Sequence, residues 1–71
     1  MKRRFEFVSG SSAKFWEVTV AGVGVTVCFG RLGTDGQTQS KSFDDSAAAQ
    51  KYADKQIEQK LGKGYVECQS V

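Results

Sequence analysis

Histidine and proline are absent from this 71-residue chain, and tryptophan and methionine occur once each. Without histidine the chain lacks the commonest metal ligand and the usual side-chain base at neutral pH. The two cysteines, Cys28 and Cys68, match no metal-binding spacing, so they read as buried free thiols, with a disulfide as the alternative. The lack of proline fits a compact sheet and helix with few rigid loops. No run approaches the roughly 20 apolar residues that span a bilayer. The opening MKRRFEFVSG is basic, but Glu6 follows at once where a secretory signal would carry an apolar core. The expectation is a cytoplasmic protein with no membrane partner.

The residues that are present suit one small folded domain over 1–71, with 39% hydrophobic, 11% aromatic and 25% charged residues. A chain this short buries only about 60% of its unfolded surface, so a single core is all it can build. The formal charge of +2 is small for a nucleic-acid binder, and distribution matters more than total. Lys2, Arg3 and Arg4 crowd the start and Lys60 and Lys63 come late, whereas Asp44 and Asp45 are adjacent.

Hydrophobic alternation predicts four strands. In KRRFEFV at 2–8, Phe5 and Phe7 share one face and Arg4 and Glu6 the other. KFWEVTV at 14–20 puts Trp16, Val18 and Val20 on one face and Phe15, Glu17 and Thr19 on the other, the first being the better core candidate. VTVCFGR at 25–31 is β-branched and aromatic, and QTQSKSF at 37–43 is polar, as an edge strand is. Asp35-Gly36 between them is a tight-turn signal. Beyond Phe43, Asp44 or Asp45 can cap a helix of roughly 16 residues that runs to Gly62. Its apolar positions Ala49, Tyr52, Ala53, Ile57 and Leu61 recur at spacings of three and four, while Lys51, Asp54, Lys55 and Glu58 face water. Gly62 and Gly64 suit its end, and YVEC at 65–68 returns as a short extended segment. The expected fold is α+β: a four-stranded antiparallel meander with one C-terminal helix packed on it.

Little in this chain supports catalysis. Asp44 and Asp45 serve better as helix caps than as an acid/base pair. The glycine run GVGVTVCFGRLG lacks the following helix and the lysine of a phosphate loop. A noncatalytic binding module, with no cofactor, no metal and no small-molecule substrate, is the expected class.

The stretches KFWEVTV, VTVCFGRLGTDGQTQSKSF, QIEQK and GKGYVE, in that order, resemble the WGR domain, a family found in poly(ADP-ribose) polymerases and in bacterial proteins. The resemblance covers nearly all of the chain after the first dozen residues. It implies a small antiparallel sheet with one helix. In the polymerases the domain contacts DNA near a strand break and touches neighbouring domains, with the tryptophan and arginine of the Trp-Gly-Arg tripeptide at those contacts. By position the tripeptide falls on Phe29, Gly30 and Arg31, so that phenylalanine stands where the family has tryptophan. Phenylalanine keeps a flat face for stacking and loses the indole donor.

Each candidate also has a purely structural role. Phe29 shares strand parity with Val25 and Val27 and can be core, unless a bulge near Gly30 turns it outward. Arg31 is either a solvated strand end, or paired with Asp35 or another carboxylate, or a phosphate contact. Lys41 can lie beside Arg31 across the hairpin as a basic patch, or serve as an edge-strand charge. Trp16 reads as core, and Lys60 and Tyr65 read as packing of the helix end. The leading expectation is DNA or other nucleic acid bound weakly through Phe29, Gly30, Arg31 and Lys41. The alternative is a protein partner docked on the hairpin or on edge strand 37–43.

Overall fold

The structure is a computed structural model that describes residues 1–68. Its elements are β1 (Lys2–Ser9), β2 (Ser12–Ala21), β3 (Gly24–Arg31), β4 (Gln37–Ser42), α1 (Ser46–Gly62) and β5 (Val66–Cys68). They form one antiparallel sheet in the order β4-β3-β2-β1-β5, with α1 lying across one face. The sheet has five strands and not four. The extended segment after the helix pairs with β1 through Arg4↔Cys68, Phe5↔Glu67 and Glu6↔Val66.

The period-two pattern sorts the side chains as expected. Phe5, Trp16, Val18 and Val25 are buried on the helix side, where they meet Ala49, Ala53 and Ile57 of α1. Phe5 and Trp16 are cross-strand partners with ring centroids 5.7 Å apart. Burying each such large side chain stabilises the fold by roughly 1.5–3 kcal/mol. The helix starts at Asp45, whose carboxylate Oδ1 accepts from the Ala48 N–H at 2.7 Å. At its far end the Tyr65 N–H donates to the Lys60 carbonyl at 3.1 Å, which steers the chain back into β5.

Leu61 departs from the expected stripe and is 48% exposed, whereas Lys60 is half-buried. At about 100° per residue, steps of four drift by about 40°, so Leu61 lies about 120° round the helix from Ala49. Lys60 lies only about 20° from Ala49 and falls within the buried stripe.

Phe15 is a second departure. It points away from the helix, yet it is 4% exposed. The Arg4 guanidinium lies 4.6 Å over its ring, and the connection between β3 and β4 folds against it. That connection is not a two-residue turn on Asp35-Gly36. The turn sits at Arg31–Thr34, closed by the Thr34 N–H and the Thr34 hydroxyl, both donating to the Arg31 carbonyl at 3.1 and 2.7 Å. The chain then crosses back over Phe15 before pairing begins at Phe29↔Gln37. Gly36, at φ +70°, presses against the Phe29 carbonyl, and a Cβ there would stand 2.7 Å from Phe15 Cζ. Gly30 is the facing half of this contact, since a Cβ on it would stand 2.8 Å from Gly36 Cα.

The cysteines are free. Cys28 lies opposite Glu17, Glu17 opposite Arg4, and Arg4 opposite Cys68. Three strand spacings, about 14 Å, separate the two thiols, about twice the reach of a disulfide.

A cationic notch at the helix end as candidate functional site

Strand β3 runs without a bulge through the signature tripeptide, in the register Trp16↔Phe29, Phe15↔Gly30 and Lys14↔Arg31. Phe29 and Arg31 therefore point to the helix side with Val25 and Val27, and Gly30 points to the opposite face. Phe29 is half-buried and packs against the core, while Arg31 is exposed at the sheet's rim. Arg31 makes no ion pair with Asp35.

Next to this rim is a notch of about 340 Å³, lined by Lys14, Trp16, Phe29, Arg31, Lys60 and Tyr65 among others. A second hollow of about 160 Å³ shares Trp16, Phe29 and Lys60 and continues past Lys41 and Tyr52. Of the expected site residues, the notch brings together Phe29, Gly30 and Arg31. It does not include Lys41, which pairs with Val25. Six residue steps along β3 separate that position from Arg31, about 20 Å at the rise of a strand. Lys41 instead reaches over Tyr52, with Nζ 5.0 Å from the ring centroid.

The notch contains two cations that the tripeptide alone does not indicate. Lys14 is the direct cross-strand neighbour of Arg31 on the same face, and its Nζ lies 5.5 Å from the Phe7 ring centroid. Lys60 reaches in from the last turn of α1, with Nζ 5.7 Å from the centroid of Trp16 and 5.4 Å from that of Tyr65. Its ammonium pKa is lowered from the ordinary lysine value, first by burial and then by the charges of Lys63 and Lys14. Sequence patterns held signals for both residues: parity with Trp16 for Lys14, and the angle round the helix for Lys60.

Among the described residues, the carboxylates are distributed elsewhere. Lys2 pairs with Glu17 at 3.2 Å, Arg4 with Glu6 and Glu17 at 3.3 Å each, and Arg3 with Glu67 at 2.6 Å. The Arg3–Glu67 pair is bidentate, Nε and Nη2 each donating to one carboxylate oxygen. The hydrogen bond from Arg3 also holds the Glu67 pKa below its usual value. The basic cluster at the chain start is thus neutralised within the sheet. No ion pair among the described residues involves Lys14, Arg31, Lys41, Lys60 or Lys63. No group of three or more acidic, histidine or cysteine side chains capable of holding a metal occurs among the described residues. No helix among them is long and apolar enough to cross a membrane.

A single antiparallel sheet under one C-terminal helix, with aromatic and cationic side chains gathered where the helix ends, defines a small α+β module. The chain belongs to the WGR domain family, whose model matches residues 1–71. It is 39% identical over 67 residues to the uncharacterised protein YfeS of Escherichia coli and 45% identical over 65 residues to protein YehF of the same organism. These alignments take in 94% and 92% of this chain but 28% and 24% of the relatives, so the chain spans about a quarter of their length. A crystal structure of a protein from Bacteroides fragilis superposes on 97% of the chain with a TM-score of 0.94 at 51% identity. The match covers 20% of that longer chain.

Proposed function

We propose that this domain is a noncatalytic module that binds nucleic acid, DNA in the first instance, on the helix-side rim formed by Phe29, Gly30 and Arg31. The observation that carries the reading is the Lys14↔Arg31 pair: two like charges placed directly opposite on one sheet face, with Lys60 beside them in the same notch. Such a pair destabilises the free domain by a few tenths of a kcal/mol or more. A phosphate bridging the two cations turns that cost into binding energy, and arginine adds bidentate geometry. The half-buried Phe29 ring offers an edge against which a base or sugar can rest. Lys41, on the far side of the second hollow, extends the positive track and stands too far away to share a phosphate with Arg31. The compartment this implies is the cytoplasm.

The test is a salt titration of binding to nicked and blunt duplexes. Contacts from Lys14, Arg31 and Lys60 to about three phosphates give a slope near −3 in log affinity against log salt. Arg31→Ala weakens binding and reduces that slope by about 1. No detectable binding at low salt rules the reading out. A second reading is favoured by β4, whose six residues are all exposed at the sheet edge. A protein partner adding a strand there is the outcome if capture survives Arg31→Ala and is lost when β4 is altered.

A further inference from the structure

Lys60 is unlike every other lysine of the chain. Lys2, Lys14, Lys41, Lys51, Lys55 and Lys63 are exposed, whereas Lys60 is half-buried and lines the 340 Å³ notch. Aromatic rings flank it, Trp16 at 5.7 Å and Tyr65 at 5.4 Å. Arg31 and Lys14 line the same space, and no carboxylate among the described residues does. A half-buried amine beside other cations is the arrangement that activates lysine as a nucleophile toward carbonyls. The direction of its pKa agrees, since burial and the neighbouring charges favour the neutral amine that attacks. The negative end of the helix dipole and the two aromatic rings favour the ammonium and oppose this.

We propose that Lys60 is a carbonyl-reactive amine and that the notch around it takes a flat, anionic aldehyde, forming a Schiff base at Nζ. The ring of the aldehyde lies against Trp16, Tyr65 and Phe29, and its anionic group sits on Arg31 and Lys14. The neutral Nζ adds to the carbonyl carbon to give a carbinolamine. Loss of water then forms the C=N bond, the carbonyl oxygen leaving with two hydrogens that come from the nitrogen. The exchange is a condensation and consumes no oxidant or reductant. It goes beyond the nucleic-acid reading, with which it shares Lys14, Arg31 and Lys60, and it is tested separately by the adduct at Nζ and not by salt-dependent duplex affinity.

The experiment treats the intact chain with pyridoxal 5′-phosphate, traps the imine with borohydride and maps the adduct by peptide mass spectrometry. Comparison is confined to lysine side chains, so that labelling of the Met1 α-amine does not enter. Exposure alone places Lys60 last among the lysines. The proposal places it first, by about tenfold over Lys51 or Lys55. Pyridoxal, the same aldehyde without phosphate, and Arg31→Ala each remove most of that preference. Lys60→Arg retains the charge and loses the major adduct, while circular dichroism checks that the variant is folded. Adducts spread over the exposed lysines, or a Lys60 preference that is indifferent to the phosphate, overturn the proposal. Mapping on the unaltered chain keeps the result decisive even if the variants misfold.

Discussion

At the scale of single residues, Phe29 and Gly36 show how one local choice serves two purposes. Phe29 completes the core where β3 approaches the helix end, and it also lines both hollows on that face. A ring in that position is neither fully buried nor free, so a larger one should extend into the notch without rearranging the strand. Phe29→Trp, which restores the tripeptide of the family, is expected to tighten duplex binding about two- to fivefold, a modest part of the 1–3 kcal/mol that stacking supplies. A fluorescence titration at fixed salt reads this change, and an affinity left the same removes Phe29 from the contact surface. Gly36 is constrained from the opposite face by the Phe29 carbonyl and Phe15, at a positive φ. Gly36→Ala is expected to destabilise the fold by about 2 kcal/mol or more, because a Cβ meets backbone that cannot retreat and a side chain disfavours that φ. Urea denaturation measures it, and a loss below about 0.5 kcal/mol counts against the close packing of the connection.

Among the elements, the helix is the one whose ends are most clearly set by side-chain chemistry. The Asp45 carboxylate satisfies an N–H of the first turn, so Asp45→Ala should cost about 1 kcal/mol, with Asp45→Ser closer to neutral. Asp44→Ala is the internal control, and an equal effect from it would point to simple charge at the helix start. The long strands and the helix were legible because alternation and capping are local and the hydrophobic faces agree between neighbours. What was not legible depended on residues distant in sequence. Strand β5 is three residues long and exists by pairing with β1, some sixty positions earlier, a partner no local pattern announces. The Asp35-Gly36 turn signal was overridden because Gly36 is used against Gly30 and Phe15, which moves the turn to Arg31–Thr34. Phe15 read as the polar side of its strand because its cover, Arg4 and that same connection, assembles only in the fold. Of the candidate site, Phe29, Gly30 and Arg31 are indicated by position in the tripeptide; parity with Trp16 gives the face of Lys14, and only the strand register places it opposite Arg31. Of the two alternatives for Lys41, the place beside Arg31 needs a tight hairpin, and the real register puts it opposite Val25 on the exposed edge strand instead.

For the whole molecule, the net charge of +2 conceals a separation of charge. Carboxylates neutralise the amino-terminal arginines across β1, β2 and β5, whereas Lys14 near the start of β2 and Arg31 at the end of β3 face each other as like charges at one end of the sheet. Stability and binding should therefore move in opposite directions at that end. Lys14→Gln removes one of two facing cations, and its ammonium from over Phe7, and keeps the first half of the aliphatic stem. The free domain is then expected to gain about 0.5 kcal/mol at low ionic strength, or roughly 2–4 °C in Tm for a domain of this size. The same change should lower duplex affinity and reduce the salt slope by about 1. Its stabilising effect should fade with added salt, since at 0.15 M the Debye length is only about 8 Å and screens exposed charges. The pH dependence has a definite sign as well. The Lys60 pKa is lower in the folded state than the ordinary value, so the charged ammonium destabilises the fold at neutral pH. That penalty is relieved as pH rises from the lowered value toward the unfolded lysine value near 10.5. Across that window Lys60→Met should lose its stability advantage over the natural chain, as read from thermal melts at a series of pH values. An advantage that stays constant through the window would mean that packing of the side chain, and not its charge, sets the difference.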